Sequence, residues 1–389
     1  MAKTNTGYSQ GHRINPLTVP TPYHEGESMT SWLVRASLNQ GCDPLTFTQY
    51  YWPDYRLWTQ DVDRGFSQVN SDIQHDIEIM ARIDTEVDVP ATLIIFADNL
   101  GAEIKTQAAP IAWTQPLSKR NRTSQIGYPH CPECLEVGKN AYLKLSWRYS
   151  WVMYCTEHYL KLQSQCIYCD QPYQPQMLQA QARYLNRCHY CEQKLAVAAV
   201  SEIVHLLAYN FQQWAEQVWN VRQGWILEQQ VSAGEWFNLV LFYVRLIRRA
   251  IKRPNHMFGL LLTYFGFKLD DEILETGATG LALDLLSIDD RVELFKRVYH
   301  LLEISPEQWL DGCAECGVSQ NSFKWHKEFQ VPAAFMPVFL QLPQKTKRSP
   351  QKQIQTINPK SSEAVKQSWA RLQRKIKIRE FYEQNLIRK

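Results

Sequence analysis

The sequence predicts a mainly α-helical protein with two small cysteine-rich modules in the middle of the chain and helix-turn-helix elements in its N- and C-terminal parts. Three observations support this fold class. Apolar residues recur at helical spacing before residue 84 and again beyond residue 200. Between these stretches, cysteine and histidine stand in pairs separated by two residues. Glycine and proline mark the ends of the predicted helices.

Three short helices are predicted in the N-terminal part. The first begins near Ser28 and ends at Gly41, and Asp43 and Pro44 start the second. The third runs over about residues 71–83. The tight turn between the first two helices is typical of a helix-turn-helix bundle, although a generic helical bundle has the same spacing. The inward faces of the first and third helices are predicted to carry Met29, Trp32, Leu33, Ala36, Ile73, Ile77 and Met80.

The strongest signal is a tandem set of Cys-x-x-Cys and Cys-x-x-His pairs. A Cys-x-x-Cys turn holds two sulfur atoms on one side of a zinc ion, and a second pair closes the tetrahedron after a β-rich excursion. Redox Cys-x-x-Cys motifs usually come singly, so paired motifs favour two zinc-ribbon or zinc-finger modules. Four protein ligands leave no open position, so both zinc ions are predicted to be structural. The predicted ligands are Cys131, Cys134, Cys155 and His158 for the first ion and Cys166, Cys169, Cys188 and Cys191 for the second.

The C-terminal part is predicted to be helical, with helices at about residues 234–251 and 287–303. A further helix is expected before these, and its apolar stripe is Ile203, Leu206, Leu207, Phe211, Trp214 and Val218.

A second helix-turn-helix is predicted near residues 305–330. Ser305 begins a capping box, and Gly317 makes the turn between the two helices. Cys313 and Cys316 have metal-ligand spacing but no partner pair nearby, so Cys313 is interpreted as a core residue. The second helix is expected to expose polar side chains that can contact nucleic acid or dock on a protein. These candidate contact residues are Gln320, Asn321, Lys324 and Lys327.

The net charge of +3 is unevenly distributed. Residues 344–389 contain 13 Lys and Arg against 3 Asp and Glu, which leaves 29 against 36 in residues 1–343. Clustered cations favour contact with phosphate backbones, although a solvated helical tail has the same composition. A linker followed by a basic helix over residues 361–386 is predicted here. Its candidate contact residues are Lys345, Lys347, Arg348, Arg371, Arg374 and Lys375.

Five segments follow from these patterns. Residues 1–19 are predicted to be flexible, 20–126 to form a helical domain and 127–199 to form the tandem zinc module. Residues 200–343 are predicted to form a second helical domain and 344–389 a basic linker and tail.

The sequence also argues against several classes of protein. It contains no run of roughly 18 apolar residues and no apolar signal-peptide core, so a cytoplasmic protein is expected. It contains no Gly-x-x-x-x-Gly-Lys-Ser/Thr phosphate loop. The acidic residues that could bind Mg²⁺ are better interpreted as helix caps. We therefore expect no enzymatic activity. The acidic residues concerned are Asp270, Asp271, Asp284, Asp289 and Asp290.

Two segments resemble signatures of the TniQ family. Residues 20–22 (Pro-Thr-Pro) and 26–35 (Gly-Glu-Ser-Met-Thr-Ser-Trp-Leu-Val-Arg) resemble its opening signature. Residues 128–134 (Tyr-Pro-His-Cys-Pro-Glu-Cys), followed by 155–158 (Cys-Thr-Glu-His), resemble its zinc-finger signature. The resemblance is specific over about residues 20–195. It implies a transposition targeting factor with an N-terminal helix-turn-helix, tandem zinc motifs and C-terminal helices.

The resemblance allows two functions. Shorter members of about this length are associated with CRISPR-directed transposons, where they sit on the RNA-guided surveillance complex Cascade, often as a homodimer, and help to recruit the AAA+ ATPase TnsC. The related TnsD-like proteins bind an attachment site in the target DNA directly. The length of 389 residues and the modest charge of the folded part favour the first function. The expected partners are therefore Cascade with its guide RNA, TnsC, target DNA and a second copy of the chain.

Overall fold

The computed structural model describes nine stretches of the chain, which divides into two compact units, Met1–Pro343 and Gln344–Lys389. The described residues are 16–64, 71–82, 92–93, 111–117, 126–195, 205–269, 283–325, 330–344 and 361–386. Within the first unit, buried apolar side chains from Leu17 to Leu342 form one continuous cluster. The three predicted domains between residues 20 and 343 therefore contribute to a common core, and their limits stay a prediction.

The N-terminal part contains the three predicted helices. They are α1 (Met29–Asn39), α2 (Pro44–Tyr51) and α3 (Ser71–Ala81). The hydroxyl of Ser28 accepts a hydrogen bond from the amide of Ser31 and so caps α1. Gly41 adopts a φ of +77°, a left-handed conformation that favours glycine and ends the helix. All seven apolar residues predicted to face inward on α1 and α3 are buried.

The middle part, residues 126–195, contains almost no regular secondary structure. It has one short helix, α4 (Pro132–Glu136), and isolated single-residue β-bridges. The β-rich excursions predicted between the cysteine pairs are wrong for the described residues, which contain 3₁₀ turns instead. The 3₁₀ turns of this part are Gly138–Asn140, Leu145–Arg148, Pro175–Met177 and Ala180–Ala182, and those elsewhere are Leu57–Thr59, Val62–Arg64, Leu283–Leu285, Gln320–Phe323 and Ala333–Phe335.

The C-terminal part of the first unit is helical apart from one hairpin, in which β1 pairs antiparallel with β2. Two predicted helices are confirmed, with α6 covering the prediction at 234–251 and α8 that at 287–303. The elements are α5 (Leu206–Val221), β1 (Gln223–Ile226), β2 (Gln229–Ser232), α6 (Ala233–Lys252), α7 (Met257–Tyr264), α8 (Ile288–Leu302), α9 (Pro306–Glu315) and α10 (Met336–Gln341). The second unit contains α11 (Ser362–Leu386). No helix in the described ranges has the length and apolar character needed to cross a membrane.

The predicted apolar stripe of α5 is partly wrong. Leu206 is 66% exposed and Leu207 is 38% exposed, because they belong to the first turn of the helix, at the edge of the core. Ile203 lies outside the described residues. The face that is buried carries Ala208, Phe211, Ala215 and Val218.

The predicted C-terminal helix-turn-helix is also only half present. The capping box of Ser305 begins α9, and Gly317 ends it with a φ of +66°. The second helix is replaced by the single 3₁₀ turn Gln320–Phe323. The Ser322 hydroxyl accepts a hydrogen bond from the Ser319 amide, and the Gln320 side chain donates to the carbonyl oxygen of Leu342. These side-chain contacts compete with helix propagation.

One side chain of α5 attaches the helical part to the middle part. The Oε1 atom of Gln212 accepts from the amides of Met153 and Tyr154 at 2.8 and 2.9 Å, and its Nε2 donates to the carbonyl oxygen of Tyr154 at 2.9 Å. All three contacts are buried. The Gln212 carboxamide thus provides hydrogen-bond partners for buried backbone groups of Met153 and Tyr154 that no neighbouring strand provides.

Replacement Gln212→Leu should lower the free energy of unfolding by about 2–4 kcal/mol, because two amides and one carbonyl lose their partner in the interior. Urea denaturation measures the change. The matched control is Gln213→Leu, one residue further along α5 and exposed, which should change the free energy by less than about 0.5 kcal/mol. Equal effects of the two substitutions would contradict the conclusion that Gln212 attaches α5 to the middle part.

Candidate metal centres

The four predicted ligands of the first centre converge. The Nδ1 atom of His158 lies 3.6 Å from Sγ of Cys131, 3.2 Å from Sγ of Cys134 and 3.6 Å from Sγ of Cys155. The Sγ atoms of Cys134 and Cys155 are 3.6 Å apart. Tetrahedral zinc with Zn–S of about 2.3 Å and Zn–N of about 2.0–2.1 Å places its ligand atoms about 3.6–3.8 Å apart. Three of the four distances match this separation and the fourth, at 3.2 Å, is shorter, so the four atoms can surround one zinc ion held by three sulfurs and one nitrogen.

The second centre has the same form with four sulfurs. The Sγ atoms of Cys166 and Cys191 are 3.6 Å apart, and those of Cys169 and Cys188 are 3.7 Å apart. All four ligand atoms lie within 4.8 Å of one another, as they do in the first centre. All cysteines of the chain are free thiols, so no disulfide competes for these sulfurs. Four soft sulfur ligands in this arrangement suit a structural zinc ion.

Local backbone geometry explains how three of the four pairs reach the metal. In each, a residue directly after the second ligand adopts a left-handed φ, at +57° in Tyr159, +55° in Asp170 and +60° in Glu192. The amide of that residue donates to the carbonyl oxygen of the first cysteine of the pair. The chain therefore turns back tightly around the two ligands. This turn is repeated at residues 155–160, 166–171 and 188–193, and each is closed by a β-bridge.

The pair of Cys131 and Cys134 is held differently. Cys131 is the N-cap residue of α4, Pro132 occupies the first helical position and Cys134 lies in the first turn. The amide of Leu135 donates to the carbonyl oxygen of Cys131. A proline at the first helical position favours this geometry because its fixed φ is already helical.

His130 and Cys313 belong to neither metal-ligand cluster. His130 is buried beside the first centre, with Nδ1 3.0 Å from the carbonyl oxygen of Tyr128, and burial lowers its pKa to about 4. Cys313 is fully buried in α9, and burial raises its pKa to about 12. The position that lets helices approach closely is its neighbour Gly312, where a Cβ atom would lie 2.9 Å from the ring of Phe265. Neither metal centre therefore includes Cys313.

The segment 26–35 attaches α1 to the first metal centre. Glu27 is completely buried, accepts from the hydroxyl of Ser31 at 2.6 Å and pairs with the guanidinium of Arg35 at 2.6 Å. The Ser31 hydroxyl in turn accepts from the amide of Leu143, which lies between Cys134 and Cys155. A buried carboxylate needs such partners to offset its desolvation. These polar residues of α1 therefore have a structural role.

A second buried ionic cluster joins the N-terminal and middle parts. The guanidinium of Arg148 contacts Asp61 at 2.6 and 2.7 Å, Asp63 at 2.9 Å and the carbonyl oxygen of Gln115 at 2.6 Å. Arg148 and Asp63 are both fully buried. Asp63 also accepts from the amide of Thr30 at 2.7 Å. Sequence reasoning missed this cluster, because no spacing rule relates residues about 85 positions apart.

The predicted cap residue Asp43 has a different partner from the one expected. It occupies the N-cap position of α2, but its side chain makes no cap hydrogen bond. Its Oδ1 atom instead accepts from the amide of Ala180 at 2.7 Å. Asp43 therefore links α2 to the chain between the ligand pairs of the second centre.

The predicted contact residues are scattered. Gln320 is half-buried and bonded to the end of α10, whereas Asn321 and Lys324 are exposed. Arg371 and Arg374 are exposed on α11. Lys327, Lys345, Lys347 and Arg348 lie outside the described residues, as does the side chain of Lys375.

Where the structure describes them, the acidic residues predicted to be helix caps make other contacts, and the N-cap of α8 is Ser287. Asp289 pairs with Lys161 at 2.6 Å, and Asp290 lies in the first turn of α8, where its amide donates to the cap residue Ser287. Asp284 accepts from the hydroxyl of Ser150 at 2.8 Å. Asp270 and Asp271 lie outside the described residues.

An exposed apolar surface on α2 and the segment that follows it was missed at the sequence level. Leu45 is 40% exposed, Tyr50 is 76% exposed and Tyr55 is 42% exposed. Leu45 and Tyr55, together with Arg56 and Trp58, line a groove of about 610 Å³. We call Leu45, Tyr50 and Tyr55 the α2 surface. Helical spacing alone predicted that Leu45 and Tyr50 belong to a helix, and only packing decided that they face outward.

The comparisons with known proteins agree with the resemblance in the sequence. The family model described as TniQ matches residues 18–162 of the 389. The matched region contains α1, α2, α3 and the complete first metal centre, and it ends before the second centre. No curated protein matches the chain. The chain therefore contains a TniQ domain over residues 18–162, which indicates a transposition-associated protein.

Proposed function

We propose that the chain is an adaptor in transposition target selection, which joins an RNA-guided Cascade complex to the AAA+ regulator TnsC and carries out no chemistry of its own. In this role base pairing by the guide RNA selects the target, and the adaptor supplies protein contacts. The chain would act in the cytoplasm, either alone or as a homodimer.

The closed metal centres support a role without catalysis. A catalytic zinc ion keeps a position for water or substrate, whereas both centres here have four protein ligands. Zinc binding at such sites contributes to folding, since ligand convergence is coupled to the structure of the surrounding chain. The metal ions would therefore maintain the surfaces that partners contact.

The observation that carries the adaptor role is the chemistry of the α2 surface within the TniQ domain. In a DNA-binding helix-turn-helix, the second helix presents polar and cationic side chains to the major groove. Here α2 and the following segment expose one leucine and two tyrosines, together with the polar Thr46 and Gln49 of α2, and Arg56 is the cation among the described residues that line the groove. Tyrosine and arginine are enriched at protein interfaces. This composition favours contact with a protein over readout of bases.

The test compares binding of the full chain to a Cascade complex with guide RNA and to a bare duplex from the neighbourhood of the transposon. The double variant Leu45→Ser with Tyr50→Ala should reduce retention on Cascade roughly tenfold or more, because exposed aromatic anchors often account for more than about 1.4 kcal/mol of binding. The matched control is Leu260→Ser with Tyr264→Ala on α7, whose side chains are 50% and 51% exposed. The control should bind as the unmodified chain does.

Two outcomes would contradict the proposal. An equal fall in retention on Cascade in the α2 double variant and the α7 control would show that the α2 surface is not the binding site. Tight, sequence-dependent binding to the bare duplex, with no retention on Cascade, would favour the TnsD-like alternative, in which the chain selects an attachment site directly.

A further inference from the structure

The C-terminal half of α6 exposes a row of cations. Arg245, Arg249 and Lys252 are exposed, and their spacing of i, i+4 and i+7 places them on one face of the helix. Arg253, the C-cap residue that follows the helix, is exposed as well. From residue 244 to residue 253, every exposed side chain is one of these four. We call them the α6 cationic stripe.

The stripe has no acidic partner within the part of the chain that the structure describes. None of its four side chains forms an ion pair or donates a hydrogen bond there. Some cations elsewhere in the unit are paired, such as Lys144 with Glu157 and Lys161 with Asp289. Residues 1–343 carry more acidic than basic residues, with 36 against 29. Four adjacent cations without acidic partners are therefore not a consequence of a basic composition.

Helix stability alone does not account for the stripe. Cations in the last turn interact favourably with the helix dipole, which accounts for Arg249 and Lys252. Arg245 lies one turn earlier, and like charges at i and i+4 destabilise a helix. Desolvation, followed by repulsion from Arg253, lowers the pKa of Arg249. Arg249 and Arg253 thus repel each other, and a bound polyanion would relieve this repulsion.

The surroundings of Arg249 indicate which part of a nucleic acid would be contacted. Its guanidinium lies 4.8 Å from the centre of the Trp325 ring, and that ring stacks on Phe242 with ring centres 5.5 Å apart. Trp325 is thus engaged by protein groups, and the stripe itself contains no aromatic residue on which an unpaired base could stack. Single-stranded nucleic acids are usually bound through such stacking. A duplex, whose phosphates are regularly spaced and whose bases are enclosed, fits this surface better.

We propose that the α6 cationic stripe binds the phosphate backbone of duplex DNA without reading its sequence. The stripe spans eight residues of helix, or about 12 Å, and duplex DNA carries one negative charge per about 1.7 Å of its axis. Several phosphates therefore lie within reach of the four side chains. The choice of DNA as the polyanion rests on the proposed function in transposition, whereas the contact itself is independent of the adaptor role.

The test measures binding of the full chain to a 20-base-pair duplex of random sequence over a salt series by fluorescence anisotropy. The variant Arg245→Gln, Lys252→Gln, Arg253→Gln keeps the contact between Arg249 and Trp325. The slope of log K against log salt should become shallower by roughly 2–3, because each phosphate contact contributes about 0.9. Affinity near 0.1 M salt should fall roughly tenfold or more. The stripe variant and the control variant given below should both have the melting temperature of the unmodified chain.

The matched control removes the same charge elsewhere, by Lys139→Gln, Arg183→Gln and Arg82→Gln, three exposed cations outside the stripe. Its salt slope should stay within 0.5 of that of the unmodified chain, where 0.5 is roughly half of one phosphate contact. An unchanged slope in the stripe variant, or equal changes in both variants, would overturn the proposal. Tighter binding of the unmodified chain to duplex RNA of the same length than to DNA would also overturn it. So would a stripe variant that loses binding to polyglutamate, a polyanion without phosphates, but keeps its binding to DNA.

This result is separable from the test of the adaptor role. Retention on Cascade is measured with the α2 variants, which leave the stripe intact. A chain that is not retained on Cascade but shows the expected change in salt slope would fail as an adaptor and still carry the DNA contact.

Discussion

Replacement Cys155→Ser should reduce the zinc content from two ions to one per chain and abolish cooperative melting of the first unit. Structural zinc sites contribute on the order of 10–16 kcal/mol, whereas whole domains are stable by only about 5–15 kcal/mol. Cys155 is buried, and its neighbours Met153 and Tyr154 are held by Gln212 of α5. Loss of the first centre would therefore release the attachment of the C-terminal helices as well. Metal analysis and near-ultraviolet circular dichroism measure the two effects.

The matched control is Cys313→Ser, which replaces an equally buried cysteine outside both centres. It should retain two zinc ions per chain, although a hydroxyl in an apolar site costs about 1–3 kcal/mol. Two ions and unchanged melting in Cys155→Ser would disprove the assignment of the first centre. Loss of one ion in Cys313→Ser would mean that the ligand sets are wrong.

Replacement Arg148→Met should lower the free energy of unfolding by about 3–5 kcal/mol. The substitution keeps much of the side-chain volume but leaves the fully buried carboxylate of Asp63 without its cation, and an uncompensated buried charge is strongly destabilising. It also removes the hydrogen bond to the carbonyl oxygen of Gln115. Guanidinium denaturation followed by tryptophan fluorescence measures the loss.

Two further variants test the cause. The additional substitution Asp63→Asn should restore part of the stability lost in Arg148→Met, since it removes the unpaired charge while Asn can still accept from the amide of Thr30. The exposed Arg56→Met should cost less than about 0.5 kcal/mol. A loss below 1 kcal/mol in Arg148→Met, or no recovery in the double variant, would show that the cluster does not hold the two parts together.

These two expected effects concern the contacts that stabilise the region matched by the family model. Residues 18–162 include the buried pair of Glu27 and Arg35, the cluster around Arg148 and the first metal centre. The cluster around Arg148 and the bond between Ser31 and Leu143 join the N-terminal helices to the chain that carries the predicted zinc ligands. The TniQ domain of this chain is thus held by polar contacts that span long sequence separations. The exposed surface on α2 belongs to this matched region, whereas that on α6 lies outside it.

The sequence alone determined the eight ligand positions and the main helices. A two-residue spacing is a local property, and a metal ion requires four ligands, so the pairing followed from the chain itself. The apolar faces of α1 and α3 were likewise visible, because helical periodicity is local. The basic composition of residues 344–389 was also evident, although its partner stays a prediction.

Tertiary structure decided which side chains are paired, covered or exposed. Asp43 bonds to Ala180 rather than to its own helix, and Gln320 is held by α10 rather than beginning a recognition helix. The stripe on α6 became visible only when no acidic side chain was found beside it in the described part of the chain. Local patterns specify periodicity and metal spacing, because these depend on neighbours in sequence. Burial and charge pairing depend on neighbours in space, which only the folded chain brings together.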